Sequence, residues 1–177
     1  MKSKDIREAW QVRFLVIGGA DSGKSEYAES LAVSYGANRK LIYLATMLPC
    51  EAASDRIAAH KKKREGKGFH TVECGMGLDG LKVPGDAFVL VEDVPNLVAN
   101  EYFSVDASHA GDRLISGITH LFDTCRDICF VTGDCASGGD ADSSRDYLKL
   151  LGRIQCLIAS RCDRVTEVVA GIPIVVK

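Results

Sequence analysis

One stretch near the start of the chain, residues 18–25, constrains the fold more than any other feature of the sequence. It reads GGADSGKS and fits the pattern G-x-x-x-x-G-K-S/T. The apolar run 14–17 before it is typical of a buried strand, and residues 26–32 after it have the apolar spacing of a helix. Strand, glycine-rich loop and helix in this order predict a phosphate-binding loop, although an ordinary glycine-rich turn has the same outline.

The positions of this loop have separate expected roles in holding a nucleotide. Glycines let successive backbone N–H groups wrap around phosphates, and the positive end of the following helix faces the same anion. Lys24 is expected to reach the β- and γ-phosphates, and the Ser25 hydroxyl is expected to hold Mg²⁺. The predicted nucleotide-binding residues of the loop are Gly18, Gly19, Ala20, Asp21, Ser22, Gly23, Lys24 and Ser25.

The rest of the chain alternates between strand and helix patterns. Strands are predicted over residues 40–46, 69–73, 87–91, 127–132, 163–170 and 174–176, and helices over 54–64, 94–103, 113–126 and 145–162. This alternation predicts an α/β fold with a mainly parallel sheet flanked by helices. We expect one domain over residues 13–177, preceded by an extension over 1–12, and direct parallel pairing of the first two strands. The polar stretch 133–144 is expected to be a mobile loop at the carboxyl edge of the sheet.

Composition narrows the class of protein. A chain of 177 residues that is 46% hydrophobic can bury a full core, and a net charge of -2 gives no reason to expect nucleic-acid binding. No run is long enough to cross a bilayer, so we expect no membrane insertion and a cytoplasmic location. The seven cysteines include no C-x-x-C pair, which disfavours a metal site or disulfides. Cys129 is interpreted as a small buried apolar residue.

A carboxylate closes the third strong strand. Residues 87–91 are apolar, and Glu92 and Asp93 follow them. In phosphate-loop proteins a carboxylate at such a strand end holds Mg²⁺ directly or through water. Many strands end in this way, so the prediction that Glu92 and Ser25 form the metal site depends on the loop.

A basic helix is predicted between the second and third strands. Arg56, His60 and Arg64 follow one another at steps of four, which places them on one face. The pattern alone favours a solvated basic face that carries an incidental histidine. A catalytic role for His60 is the alternative.

Several of these segments, in this order, resemble the bifunctional adenosylcobinamide kinase / adenosylcobinamide-phosphate guanylyltransferase family. The resemblance runs over residues 13–177. The basic helix and the C-terminal segment are more specific than the loop, which many nucleotide enzymes share. The matching segments include the loop at 18–25, YLAT at 43–46, RIAAH at 56–60 and VVAGIPIVVK at 168–177.

The resemblance implies two reactions of cobalamin biosynthesis. The first is phosphorylation of adenosylcobinamide by ATP or GTP, and the second is transfer of GMP from GTP through a guanylyl-histidine. His60 matches the guanylylated position, so it joins Lys24 as a predicted catalytic residue. The family pattern also implies a corrinoid substrate and a homo-oligomer, a trimer. The predicted nucleotide-binding residues outside the loop are Arg56, Arg64, Glu73 and Glu92.

The sequence also departs from the family pattern. Asp21 stands where the family usually has arginine, and GDCA at 133–136 replaces an Asn-Glu-Val-Gly type of loop. These changes keep two alternatives open. One is a degenerate relative that binds GTP without turnover, and the other is a phosphate-loop kinase of another small metabolite, in which His60 is structural.

Overall fold

The computed structural model describes residues 11–36, 38–49, 58, 61–62, 64–104, 106–133 and 142–177. Strands and helices alternate along them, and two short 3₁₀ turns, Leu78–Gly80 and Ala107–His109, connect some of these elements. The elements are β1 Arg13–Ile17, α1 Lys24–Tyr35, β2 Leu41–Ala45, β3 Phe69–Glu73, β4 Phe88–Glu92, α2 Val94–Tyr102, α3 Ala110–Thr124, β5 Asp127–Thr132, α4 Asp142–Arg161, β6 Arg164–Val169 and β7 Ile172–Val175.

The strands form one seven-stranded sheet in the order β3-β2-β4-β5-β1-β6-β7. All neighbours pair in parallel except β6 and β7, which form an antiparallel hairpin. The predicted α/β fold with a mainly parallel sheet is therefore confirmed. Direct pairing of β1 with β2 was wrong, because β5 and β4 lie between them. The chain leaves β1, passes two strand positions, and later returns to fill them.

The core lies on both faces of the sheet. Alternate residues of β1 point to opposite sides, so Leu15 packs on the side of α2, α3 and α4, while Phe14 and Val16 pack against α1. Strand β5 is buried over its whole length, which is why its central residues 128–131 are continuously apolar rather than alternating. Cys129 in β5 is fully buried, as its apolar neighbours indicated.

The predicted helix and strand patterns differ in detail from the structure at two places. In α3, Ile115 is 39% exposed, because the inward stripe of the helix runs through Leu114, Ile118 and Leu121 and misses it. The predicted strands 163–170 and 174–176 left residues 171–173 between them, but the turn is formed by Ala170 and Gly171, both with positive φ. Pro173 instead belongs to the edge strand β7, where a missing N–H is tolerated.

No helix in the described part of the chain combines the length and the apolar character that crossing a bilayer requires. The predictions for residues 1–10 of the extension, for 54–57, 59–60 and 63 of the basic helix and for 134–141 of the polar loop lie outside the described residues. Residues 58, 61, 62 and 64 are helical, in agreement with the prediction for that segment.

Candidate nucleotide-binding site

The glycine-rich loop connects β1 to the N-terminus of α1. A Cβ on Gly18 would lie 2.4 Å from Ser22 Oγ and 2.8 Å from the Val168 carbonyl oxygen, so a side chain does not fit there. Gly23 occupies the N-cap position of α1 with φ +89°, a conformation that favours glycine. These two glycines allow the tight turn that points the N-terminus of α1 at the loop. An anion in the loop would therefore meet the positive end of the helix.

Lys24 and Asp21 give this loop one positive and one negative side chain. The Lys24 ammonium Nζ donates a hydrogen bond to the Gly19 carbonyl oxygen at 3.0 Å. Its charge is thus held over the loop, as predicted for a phosphate ligand. Asp21 is exposed at the turn with φ +52°, next to the exposed Gly19 and Ala20. The loop therefore presents a cation and an acid to the same region of solvent.

The loop is fastened to two other parts of the sheet. The Gly171 N–H, in the turn between β6 and β7, donates to the Ser22 carbonyl oxygen at 2.8 Å. The Gly18 N–H donates to the Thr132 carbonyl oxygen, at the end of β5, at 3.2 Å. This role of the C-terminal hairpin was not foreseen. The sequence signal for it is Gly171, whose φ of +81° favours glycine.

Ser25 and Glu92 meet beside the loop, as the sequence predicted. The Ser25 hydroxyl donates a hydrogen bond to Glu92 Oε1, and Glu92 is only 9% exposed. Burial raises the pKa of Glu92 above the ordinary value, and the hydrogen bond from Ser25 partly offsets that rise. Glu92 Oε2 is buried and has no hydrogen-bond partner among the described residues. A hydroxyl beside a carboxylate with a spare oxygen suits a hard cation such as Mg²⁺.

Within the part of the chain that the structure describes, no three histidine, cysteine, aspartate or glutamate side chains cluster closely enough to hold a metal ion. Mg²⁺ that is bound with a nucleotide does not need such a cluster. It takes one or two protein ligands and completes its shell with phosphate oxygens and water. Ser25 and Glu92 supply a set of that size.

Arg64 is buried, although its helical spacing with Arg56 and His60 favoured a solvated basic face. That interpretation was wrong for Arg64. Arg64 is only 7% exposed, and its guanidinium carbon lies 3.4 Å from the centroid of the Tyr43 ring. A planar cation over an aromatic face is attractive, and more so when both are desolvated. Its predicted partners on the helix, Arg56 and His60, lie outside the described residues.

Glu73 lies at the end of β3, at the far edge of the sheet from β1. Its carboxylate pairs with the Lys61 ammonium at 3.0 Å, and both side chains are exposed. Glu73 therefore belongs with the segment around the basic helix rather than with the loop. Its predicted contact with nucleotide stays a prediction.

Three polar side chains that hold the carboxyl edge together were missed or left without a role. Asn100 Nδ2 donates to the Thr46 carbonyl oxygen at 2.8 Å and to the Gly75 carbonyl oxygen at 3.0 Å. The Thr46 hydroxyl accepts from the Asp93 N–H at 2.6 Å, which ties β2 to the residue after Glu92. Gln155 Nε2 donates to Thr132 Oγ1 at 2.7 Å. Isolated polar residues give no periodic signal, so only the fold reveals these bonds.

A mainly parallel sheet, a glycine-rich loop between β1 and α1, and a buried carboxylate at the end of β4 define a phosphate-loop nucleotide-binding protein. The model of the cobinamide kinase / cobinamide phosphate guanyltransferase family matches residues 14–176. The chain belongs to this family. The resemblance noted in the sequence is therefore confirmed, and with it the prediction of a transferase of cobalamin biosynthesis that has kinase and guanylyltransferase activities.

Two relatives agree with this assignment, and one solved structure shares the fold. The bifunctional adenosylcobalamin biosynthesis protein CobU of Salmonella typhimurium is 32% identical, and the alignment covers 92% of this chain and 98% of the relative. The protein CobP of Pseudomonas aeruginosa, with the same descriptive name, is 29% identical, with 94% and 98% covered. The flagellar accessory protein FlaH of Methanocaldococcus jannaschii has a TM-score of 0.54 at 13% identity, covering 95% of this chain and 79% of its own. That likeness concerns the fold alone.

Proposed function

We propose that the loop at residues 18–25 binds the nucleotide that phosphorylates adenosylcobinamide, and that His60 carries GMP from GTP to the phosphorylated product. The observation that carries the first half is the hydrogen bond from Ser25 to Glu92, beside Lys24 in the loop. It brings a cation, a hydroxyl and a carboxylate to the N-terminus of α1. Those are the groups that phosphoryl transfer requires.

In the kinase step the protein's task is to position and neutralise the phosphates. The backbone N–H groups of the loop and the Lys24 ammonium would hold the β- and γ-phosphates. Ser25 and Glu92 would hold Mg²⁺, which, when bound, offsets the charge on the phosphate oxygens. The buried position of Glu92 keeps its oxygens in place, so little reorganisation is needed when nucleotide binds.

In the transferase step a neutral nitrogen of His60 would attack the α-phosphorus of GTP. A nitrogen–phosphorus bond forms, the bond from that phosphorus to the bridging oxygen breaks, and pyrophosphate leaves with the electron pair. A phosphate oxygen of adenosylcobinamide phosphate then attacks the same phosphorus and frees His60. Arg56 and Arg64 would offset the charge on the phosphates. Arg64 is suited to this role because it is buried with its charge held on Tyr43.

The proposed partners are a corrinoid and a nucleotide, without nucleic acid. Because the substrates include cytosolic nucleoside triphosphates, we place the protein in the cytoplasm. The trimer that the family resemblance implies also remains a proposal, and static light scattering of the purified protein would measure it.

Incubation with GTP labelled at the α-phosphorus tests the proposed function. We expect acid-labile label on the wild-type chain and none on His60→Ala, which should still bind GTP because the loop is intact. His70→Ala is the matched control, since His70 lies exposed on β3. Loss of label in His70→Ala instead would contradict the assignment to His60.

The same experiment separates the alternatives. Saturable GTP binding without label on the wild-type chain would support a degenerate binding protein. Neither label nor saturable binding of GTP would support a kinase of another metabolite.

A further inference from the structure

Tyr43 on β2 lies beside two charged residues that the proposed function assigns to different steps. Its ring lies under the guanidinium group of Arg64, with 3.4 Å between the guanidinium carbon and the ring centroid. Tyr43 is only 4% exposed and Arg64 only 7%. A desolvated contact of this kind holds a side chain that would otherwise rotate freely in water. The ring of Tyr43 therefore fixes the position of Arg64.

The other end of Tyr43 faces Glu92. In the parallel pairing of β2 with β4, Tyr43 lies opposite Leu90, and Glu92 is two residues further along on the same face. Both side chains are buried, and the charge on Glu92 is near enough to add to burial in raising the pKa of Tyr43. Tyr43 thus lies between the carboxylate at the loop and the cation of the basic segment.

Two buried polar atoms of opposite charge lack partners on either side of Tyr43. They are Nη1 of Arg64 and Oε2 of Glu92, neither of which has a hydrogen-bond partner among the described residues. Buried charged groups without partners are costly, and in native proteins they point to a group that completes the network. Both atoms belong to residues to which the proposed function gives a ligand.

The segment that carries Arg64 is also fastened to α1. Lys67, three residues after Arg64, forms an ion pair with Glu29, a buried carboxylate on the helix that begins at Lys24. The basic segment is therefore joined to the phosphate-loop helix through Glu29, in addition to its contact with Tyr43 on β2. A shift of the basic segment would therefore also displace the phosphate-loop helix.

We propose that Tyr43 is a positioning residue for both reactions. Its ring holds Arg64 for transfer of GMP, and its hydroxyl orients Glu92 for binding of Mg²⁺-nucleotide. The inference rests on the proposed function, because it assigns Arg64 and Glu92 the roles given above. It predicts that mutation can separate the effect of the ring on transfer of GMP from the effect of the hydroxyl on binding of Mg²⁺-nucleotide.

Two variants make that separation. Tyr43→Phe keeps the ring under Arg64 and removes the hydroxyl beside Glu92, whereas Tyr43→Leu removes both. Tyr35→Phe is the matched control, since Tyr35 lies exposed at the far end of α1 from the loop. For each variant, calorimetry measures GTP affinity with and without Mg²⁺, and α-labelled GTP measures the rate of label formation at saturating nucleotide.

In Tyr43→Phe we expect the gain in GTP affinity on adding Mg²⁺ to fall about fivefold, the size of one hydrogen bond, with metal-free affinity and labelling rate unchanged. In Tyr43→Leu we expect the same loss and, in addition, labelling slower by about tenfold, because Arg64 is no longer held. Tyr35→Phe should match the wild type in all three measurements.

Several results would overturn the inference. They are a Tyr43→Phe variant with wild-type dependence on Mg²⁺, a Tyr43→Leu variant with wild-type labelling rate, and an equal fall of all three quantities in both variants, which indicates general loss of structure. Each of these comparisons is made with a wild-type chain that binds GTP and takes up label. A wild-type chain that does neither removes the proposed function, and the inference falls with it.

Discussion

The hydroxyl of Ser25 donates a hydrogen bond to the carboxylate of Glu92, although 67 residues separate the two in the chain. Ser25 is set by the first turn of α1, and Glu92 is the last residue of β4. The two meet because α1 lies across β5 and packs on β4, its neighbour in the sheet. The crossover out of β1 therefore assembles the candidate metal site.

Lys24→Ala should weaken GTP binding without unfolding the protein. Within the described part of the chain, the ammonium donates its one hydrogen bond to the Gly19 carbonyl oxygen, in a partly exposed position, so its loss costs little stability. A charge-assisted contact with phosphate is worth about 10- to 100-fold in affinity. Calorimetric titration measures it, and Lys40→Ala is the control because Lys40 is exposed at the opposite end of β2. Unchanged affinity in Lys24→Ala would contradict the phosphate-loop assignment.

Glu92→Gln should separate metal binding from nucleotide binding. The amide keeps an acceptor for Ser25 but removes the charge that attracts Mg²⁺. We expect affinity for Mg²⁺-GTP to fall about tenfold, while affinity for metal-free GTP stays the same. Titrations with and without Mg²⁺ measure both. Equal losses in the two titrations would place the metal ligand elsewhere.

The same substitution should change how stability depends on pH. Burial raises the pKa of Glu92 in the folded state, so folding favours its protonated form. Glu92 makes its full contribution to the free energy of unfolding below the ordinary glutamate pKa. That contribution is lost as the pH rises through the raised pKa of the folded state. Thermal unfolding should therefore show the Tm of Glu92→Gln rising relative to that of the wild type as the pH increases above the ordinary glutamate pKa of about 4. Glu26→Gln, on the exposed face of α1, should show no such trend.

Asp21→Asn should tighten nucleotide binding. Asp21 is exposed in the loop with φ +52°, a conformation that asparagine also tolerates, so the backbone should not change. Removing one negative charge near the phosphates should raise GTP affinity by about fivefold at low salt, and by less as salt is added. Asp123→Asn, exposed on α3, is the control. Weaker binding by Asp21→Asn would mean that this carboxylate assists the nucleotide.

Lys177→Ala should destabilise the fold without changing the nucleotide site. The Lys177 ammonium donates to the carbonyl oxygens of Ala159, Ser160 and Cys162, at and just beyond the C-terminal end of α4, at 3.1, 3.4 and 2.7 Å. A cation at this end of a helix is worth about 1 kcal/mol, which corresponds to a fall in Tm of about 3 °C. Calorimetry should find GTP affinity unchanged. Lys149→Ala, which loses only an exposed pair with Asp146, should keep the wild-type Tm.

The sequence by itself determined the local elements and the loop. Residues 18–25 require glycine at 18 and 23 because a Cβ clashes at the first and φ is positive at the second. The strands β3 and β5 were predicted with the bounds they have in the structure. Such features depend on a few neighbouring residues, so a linear pattern reports them. The pairing of Glu92 with Ser25 was also predicted, because the motif carries a known strand-end partner.

Only the tertiary structure decided which strands are neighbours in the sheet and which side chain covers Arg64. The order of strands separates β1 from β2, and no pattern within either strand encodes its neighbours in the sheet. The burial of Arg64 depends on Tyr43, 21 positions earlier in the sequence numbering. From helical spacing alone, a basic side chain is predicted to be solvated. Its burial becomes favourable only when an aromatic ring lies under it, because that contact offsets the cost of desolvation. The arrangement of Tyr43 between Arg64 and Glu92 exists only once β2, β4 and the basic segment have packed together.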